Sequence, residues 1–212
     1  MRPLVKRPKP EILEQNEQAW TTEYVDAVRT GQRPFPSRWR REEIKSTLVV
    51  ETSGRCAYCE SDMLSVHYGH VEHIRPRKAY PELVVRWDNL TLACEKCNGA
   101  KKDFYSDATP LLNPYVDDPT EHIVFHGHLV FAKPGSDRGV LTIRKLKLHR
   151  KDLTDQRQYR LEHVMTLIDL WSRATDPDVK EELLDSIVVD YRDGPYQMVV
   201  KPILAYHGIN VE

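Results

Sequence analysis

Four cysteines constrain this 212-residue chain more than any other feature. They form two pairs of identical spacing, Cys56-Ala57-Tyr58-Cys59 and Cys94-Glu95-Lys96-Cys97, with no fifth. A two-residue spacer lets both sulfurs of a knuckle reach one tetrahedral ion at about 2.3 Å, and two knuckles complete a four-cysteine zinc site. Disulfides are disfavoured, because the opening Met1-Arg2-Pro3-Leu4-Val5-Lys6-Arg7 is basic and lacks the apolar stretch of a secretion signal. A redox pair usually comes as one such motif, not two. An iron–sulfur cluster is the remaining alternative, and paired spacing fits it less well. The expectation is structural zinc. No apolar run approaches the roughly 18 residues of a spanning helix, so a soluble, cytoplasmic chain is expected.

The 34 residues between Cys59 and Cys94 exceed the roughly 15–20 of a simple zinc ribbon, so something else is folded into the gap. It holds His67-Tyr68-Gly69-His70-Val71-Glu72-His73-Ile74-Arg75-Pro76 and then Trp87-Asp88-Asn89-Leu90-Thr91-Leu92-Ala93. The second knuckle runs directly into Asn98-Gly99-Ala100-Lys101-Lys102. This order resembles the HNH endonuclease family: a knuckle, an acid–His–Ile–x–Pro step, an Asn-Leu pair before a short apolar strand, and a second knuckle followed by Asn and Lys. The resemblance covers residues 54–103. It implies a ββα-metal module cross-braced by zinc, with Asn89 as the middle signature residue that braces the loop and orients His73.

Phosphodiester cleavage needs an activated water, a cation on the phosphate and a group that orients the base. His73 suits the general base, because neutral imidazole accepts a proton near pH 7. Glu72 offers a carboxylate oxygen and Asn98 an amide oxygen for Mg²⁺ or Mn²⁺. Arg75, Lys101 and Lys102 are expected to hold phosphate oxygens, and Asn98 to begin a short helix whose free donors favour anions. His70 shares a strand face with Glu72. It is read as a phosphate contact or a buried structural histidine, with metal ligation the less favoured role. His67 is read as a loop or strand histidine. Two departures from the commonest family pattern stand out: Glu72 replaces Asp, and Asn98 replaces His, which favours an oxygen-loving ion over zinc at that position. Both read as tuning; the alternative is a metal-free module kept for DNA binding.

Outside the module, apolar periodicity predicts helices over 10–30 (with Gly31 as the stop), 40–50, 151–172 and from Asp176-Pro177 to about Asp190. Residues 32–38 read as a linker, 122–126 and 128–132 as a hairpin, and 139–143 as a possible added strand. Residues 196–203 are apolar but too short to assign. The expected fold class is α+β, an HNH module in a mostly helical frame. Its parts are an N-terminal helical segment at 1–50 that is a candidate partner-docking element, the module at 51–108, and a hairpin with C-terminal helices at 109–212. Net charge is −1, so any affinity for DNA must be local. Residues 133–160 carry nine bases and three acids, and 161–212 four bases and ten acids. The basic stretch, with Arg144, Lys145, Lys147, Arg150, Lys151, Arg157 and Arg160, is expected to track a DNA backbone or to pair with the acidic tail.

A second resemblance covers roughly residues 1–160. The opening Met1-Arg2-Pro3, the step Tyr80-Pro81-Glu82-Leu83 after the histidines, and Leu111-Leu112-Asn113-Pro114-Tyr115 are similar to the HNH effectors of bacterial anti-phage systems of the Septu type, which also accompany some retrons. It implies a DNA-cleaving effector beside an SMC/ABC-type ATPase that licenses cleavage, with Trp20, Trp39 and Trp171 as candidate interface anchors. The alternatives are a standalone restriction-type nuclease and a non-catalytic zinc-stabilised DNA-binding or adaptor module.

Overall fold

The structure is a computed structural model that describes residues 1–63 and 69–211. His67, assigned above to a loop or strand, lies outside them. The chain is α+β. Helix α1 (Glu11–Thr30) leads through a 3₁₀ turn at Arg38–Arg40 into α2 (Glu42–Thr52). Strands β1 (His70–His73) and β2 (Leu90–Ala93) are followed by α3 (Glu95–Lys101). A second pair, β3 (Ile123–His126) and β4 (Leu129–Ala132), precedes α4 (Asp137–Lys145), α5 (Lys151–Arg173), α6 (Pro177–Asp193) and α7 (Gln197–Tyr206). The strands form two separate two-stranded antiparallel sheets. Among the described residues, no helix is long and apolar enough to cross a membrane.

The expected elements formed where local signals and burial agree. Gly31 ends α1 at φ 70°, where the Gly31 N–H reaches the Val28 carbonyl and the Gln32 N–H reaches that of Ala27. Asp176 caps α6 by accepting from the Asp178 and Val179 N–H groups, with Pro177 in the first turn. Residues 139–143 are not a strand. They sit inside α4, whose cap, Ser136, accepts from the Gly139 N–H at 3.0 Å. A run of five with Val140, Leu141 and Ile143 reads like a strand by propensity, but the cap outweighs it. Gly139 also lets α4 press on the hairpin: a Cβ there would lie 2.4 Å from the His122 carbonyl oxygen. The unassigned apolar end is α7, which buries Val199, Val200 and Leu204.

One hydrophobic cluster joins the module to the frame. It includes Leu13 of α1, Ile44 and Leu48 of α2, Leu90 and Leu92 of β2, Leu153 and Val164 of α5, and Val200 and Leu204 of α7. Strand β2 is buried along its whole length. It therefore holds β1 in a fixed register, with His73 opposite Leu90 and Glu72 opposite Thr91. Trp39 is a core residue; Trp20 and Trp171 are half-buried against the core. The Trp20 and Trp171 rings each have a basic side chain nearby, from Arg38 and Arg41 or from Lys180.

Candidate active site and metal centre

The two knuckles converge. The sulfurs of Cys56, Cys59, Cys94 and Cys97 all lie within 4.8 Å of one another. A tetrahedron with metal–sulfur bonds of about 2.3 Å has edges of about 3.8 Å, and the Cys59 and Cys94 sulfurs are 3.8 Å apart. Cys94 caps α3 by accepting the Cys97 N–H at 3.4 Å, so helix and knuckle begin together. Hydrogen bonds from the other three cysteines, together with Ser61, hold the Cys59 thiol well below the ordinary thiol range despite its burial. One residue of the basic stretch, expected to track a DNA backbone or pair with the acidic tail, lies against the sulfurs instead. Arg150, just before α5, donates from Nη1 to Cys97 Sγ and from Nη2 to Cys59 Sγ, each at 3.6 Å. A guanidinium touching both knuckles offsets the negative charge of four thiolates around a divalent ion. The donor set fits a soft, tetrahedral metal.

Beside this centre, a cleft of about 500 Å³ brings together His70, Glu72, His73, Asn98 and Lys102. His73 is 6% exposed, its ring edge-on to Trp39 at 5.1 Å between centroids. Its Nε2 lies 2.8 Å from the Val84 carbonyl oxygen. A carbonyl only accepts, so Nε2 carries the proton and Nδ1 keeps its lone pair. Burial lowers the His73 pKa to about 4, assisted by Arg77 and Lys101 and opposed by the Val84 contact. The ring is neutral at pH 7.

Glu72 is 5% exposed. Lys101 Nζ is 2.8 Å from its Oε1, off the angle of a hydrogen bond, so Oε1 is a buried acceptor with no aligned donor. Burial raises the Glu72 pKa, and Lys101 pulls it back. A buried carboxylate oxygen that meets the Lys101 ammonium off the hydrogen-bond direction, on a cleft that also presents the Asn98 amide, offers the oxygen donors a hard cation takes.

Asn89 braces the loop after His73. Its Oδ1 accepts the Arg75 N–H at 2.7 Å, and its Nδ2 donates to the carbonyls of Arg75 (3.0 Å) and Leu83 (3.1 Å).

Three expectations are corrected. Lys101 does not reach out to phosphate: it is 2% exposed and donates to the His73 carbonyl at 2.8 Å, tying α3 to β1. Asn98 does not begin a helix, since its N–H already bonds the Cys94 carbonyl one turn into α3. His70 is exposed at the mouth of the cleft and is no buried structural histidine. Arg75 lies outside the cleft lining, exposed, with its guanidinium 5.0 Å from the Tyr105 ring and 5.3 Å from that of Tyr80. Lys102 lines the cleft and is exposed, as expected. Sequence reading missed Trp39, Arg40, Lys45 and Arg77, which also line it. They come from the N-terminal segment and from the loop after β1, beyond any motif spacing.

Strands β1 and β2 with α3 form a ββα unit that carries the four-cysteine centre and the histidine cleft, and residues 56–104 match the family described as HNH endonuclease. The chain therefore carries an HNH endonuclease domain. It is similar to two proteins named Septu protein PtuB. The one from Bacillus mycoides (strain KBAB4) is 32% identical over 155 residues, covering 58% of this chain and 52% of that protein. The one from Bacillus thuringiensis is 36% identical over 117 residues, covering 55% and 45%. The chain thus spans about half the length of these curated relatives.

Proposed function

We propose that this chain is a metal-dependent DNA endonuclease of a Septu-type anti-phage system, acting in the cytoplasm beside a PtuA-like SMC/ABC-type ATPase. The observation that carries the catalytic reading is the neutral His73, with Nδ1 unprotonated, on the same cleft as the buried Glu72 carboxylate and the Asn98 amide. His73 Nδ1 takes the proton of the attacking water, and the Val84 carbonyl and Trp39 hold the ring in that tautomer and plane. Asn89 keeps the loop from Ile74 to Arg75 in place behind it. Glu72 and Asn98 would hold Mg²⁺ or Mn²⁺, which supplies charge stabilisation at the phosphate and leaving oxygen. Zinc at the four cysteines is structural. Lys102 and His70 contact phosphate at the cleft mouth. The names of the relatives support the defence context, and the ATPase partner follows from that context.

A plasmid-nicking assay with Mg²⁺ or Mn²⁺ tests the chemistry. Wild type should nick, and both EDTA and His73→Ala should stop it. A wild type that binds DNA but never nicks under these conditions would leave a non-catalytic DNA-binding module. Co-purification with a co-expressed PtuA-like ATPase tests the partner.

A further inference from the structure

The nuclease reading needs a surface that carries DNA to the cleft. The basic stretch expected to do this is partly spent inside the fold, and its exposed members lie off the cleft. Arg157 is 1% exposed and donates to the Leu148 carbonyl; Arg160 pairs with Asp190 of the acidic tail at 2.7 Å. Arg150 sits on the cysteine sulfurs, and Lys151 pairs with Asp155. Arg144, Lys147 and Lys151 remain exposed but lie outside the cleft lining.

The N-terminal segment presents a different basic surface. In a 3₁₀ turn successive side chains point about 120° apart. Trp39 points into the core against His73, so Arg38 and Arg40 must flank it outward. Arg38 is held by a two-bond fork to Glu23, at 2.9 Å for each bond. Arg40 is exposed, and its side chain has no protein partner among the described residues. It lines the catalytic cleft and also a second groove of about 520 Å³, which Arg38 and Arg41 line too. The cleft's carboxylates are already neutralised: Glu72 faces Lys101 at 2.8 Å, and Asp103 faces Lys78 at 3.9 Å. The groove's one acid, Glu23, is held in the Arg38 fork. The excess charge along the joined path is therefore positive, and the Trp39–His73 ring contact fixes it relative to the base.

We propose that Arg40 and Arg41 form a phosphate-tracking surface that leads the DNA backbone from the His73 cleft into the adjoining groove. This makes the N-terminal segment part of the substrate path, and the inference rests on the DNA-nuclease reading above. The guanidinium fork suits phosphate, and such contacts add affinity without reading bases.

The test is binding of full-length protein to a short mixed-sequence duplex in EDTA, by fluorescence anisotropy, between about 50 and 200 mM salt. Each lost phosphate contact removes about 0.9 from the slope of log K against log salt. Arg40→Ala with Arg41→Ala should flatten the slope by about 2 and weaken binding about tenfold or more, alike across sequences. Zinc content and thermal midpoint should stay at the wild-type values. Arg40→Lys with Arg41→Lys should restore most of the slope. Arg144→Glu with Lys147→Glu should leave it unchanged. A wild-type slope in the Arg40/Arg41 alanine variant, with nicking by wild type intact, overturns this surface and leaves the nuclease reading standing. A wild type with no salt-dependent DNA binding overturns both. A slope that flattens only on reversal of Arg144 and Lys147 moves the DNA to the other face and overturns the proposal.

Discussion

The module at 56–104 and the helices from α5 onward both bury charged and polar side chains, and they use them differently. In the module, Glu72 and His73 sit at 5–6% exposure on a cleft, Asn89 braces the loop behind them, and one carboxylate oxygen lacks an aligned donor. In the helical frame, Arg157 bonds a carbonyl, and Arg160 joins the Asp190 side chain to the Asp190 and Pro195 carbonyls. Polar groups in the frame mostly close on one another, with the buried Arg157 Nε, remote from the cleft lining, the exception among the described residues of α5 to α7. Those in the module stop short of closing, and an imperfectly satisfied buried group is where a ligand binds. Charge counted along the sequence does not distinguish these cases: the most basic stretch belongs mostly to the frame.

The largest expected effect separates the two regions outright. Cys94→Ser should remove zinc and unfold the module, because metal binding to such a site is worth on the order of 10 kcal/mol and is coupled to folding. Elemental analysis should find one zinc per wild-type chain and none in the variant, whose melting should lose cooperativity. Four free thiols in a stable wild-type fold would sink the zinc assignment.

His73→Ala comes next. It should lower nicking by about 10²- to 10⁴-fold while leaving zinc content intact and the chain folded, with a lowered melting midpoint because the buried ring packs on Trp39 and satisfies the Val84 carbonyl. Glu72→Ala and Asn98→Ala should instead be partly rescued by raised Mn²⁺, which kinetics against metal concentration would show.

In the frame, Arg160→Ala should act on stability alone. It strands the Asp190 carboxylate, and a loss on the order of 2–4 kcal/mol in urea unfolding is expected. Nicking at a temperature where the variant is folded should be unchanged, and a variant that melts like wild type would break the comparison.

Arg150 joins the regions, so its removal sharpens the contrast. Arg150→Ala should weaken zinc retention about 10- to 100-fold in competition with a chelator, with a smaller change in urea stability than Arg160→Ala. Equal zinc affinity would mean that its sulfur contacts carry no weight.

The smallest expected effect is in the pH profile. A histidine whose pKa is lowered to about 4 is neutral at every pH above that value. Nicking should therefore show no acid limb near 6.5, where an exposed histidine base would titrate. A cation at Glu72 would push the ring the same way. A half-maximal rate near pH 6.5 that vanishes in His73→Ala would contradict the buried, neutral ring.

Much of the site was legible in the sequence because its chemistry is local. Two-residue cysteine spacing, the Glu72-His73 step on a short strand and Asn98 directly after a knuckle each set candidate side chains within one turn or one pleat, and backbone geometry alone brings such neighbours to one place. The helices at 11–30, 151–173 and 177–193 were legible for the same reason, since periodicity and caps are short-range signals. The tertiary structure decided what depends on residues far apart in the chain. Lys101 turned inward because β1 offered it the His73 carbonyl and the Glu72 carboxylate. Residues 139–143 are different: the Ser136 cap that makes them helix is a short-range signal, and only the fit of Gly139 against the His122 carbonyl is tertiary. Arg157 and Arg160 were buried because α6 and the turn after it stood opposite α5, and Trp39 and Arg40 reached the cleft because the 3₁₀ turn docked on His73. A side chain's charge is written in the sequence, but whether it meets water, a partner or a ligand is set by what the fold packs against it.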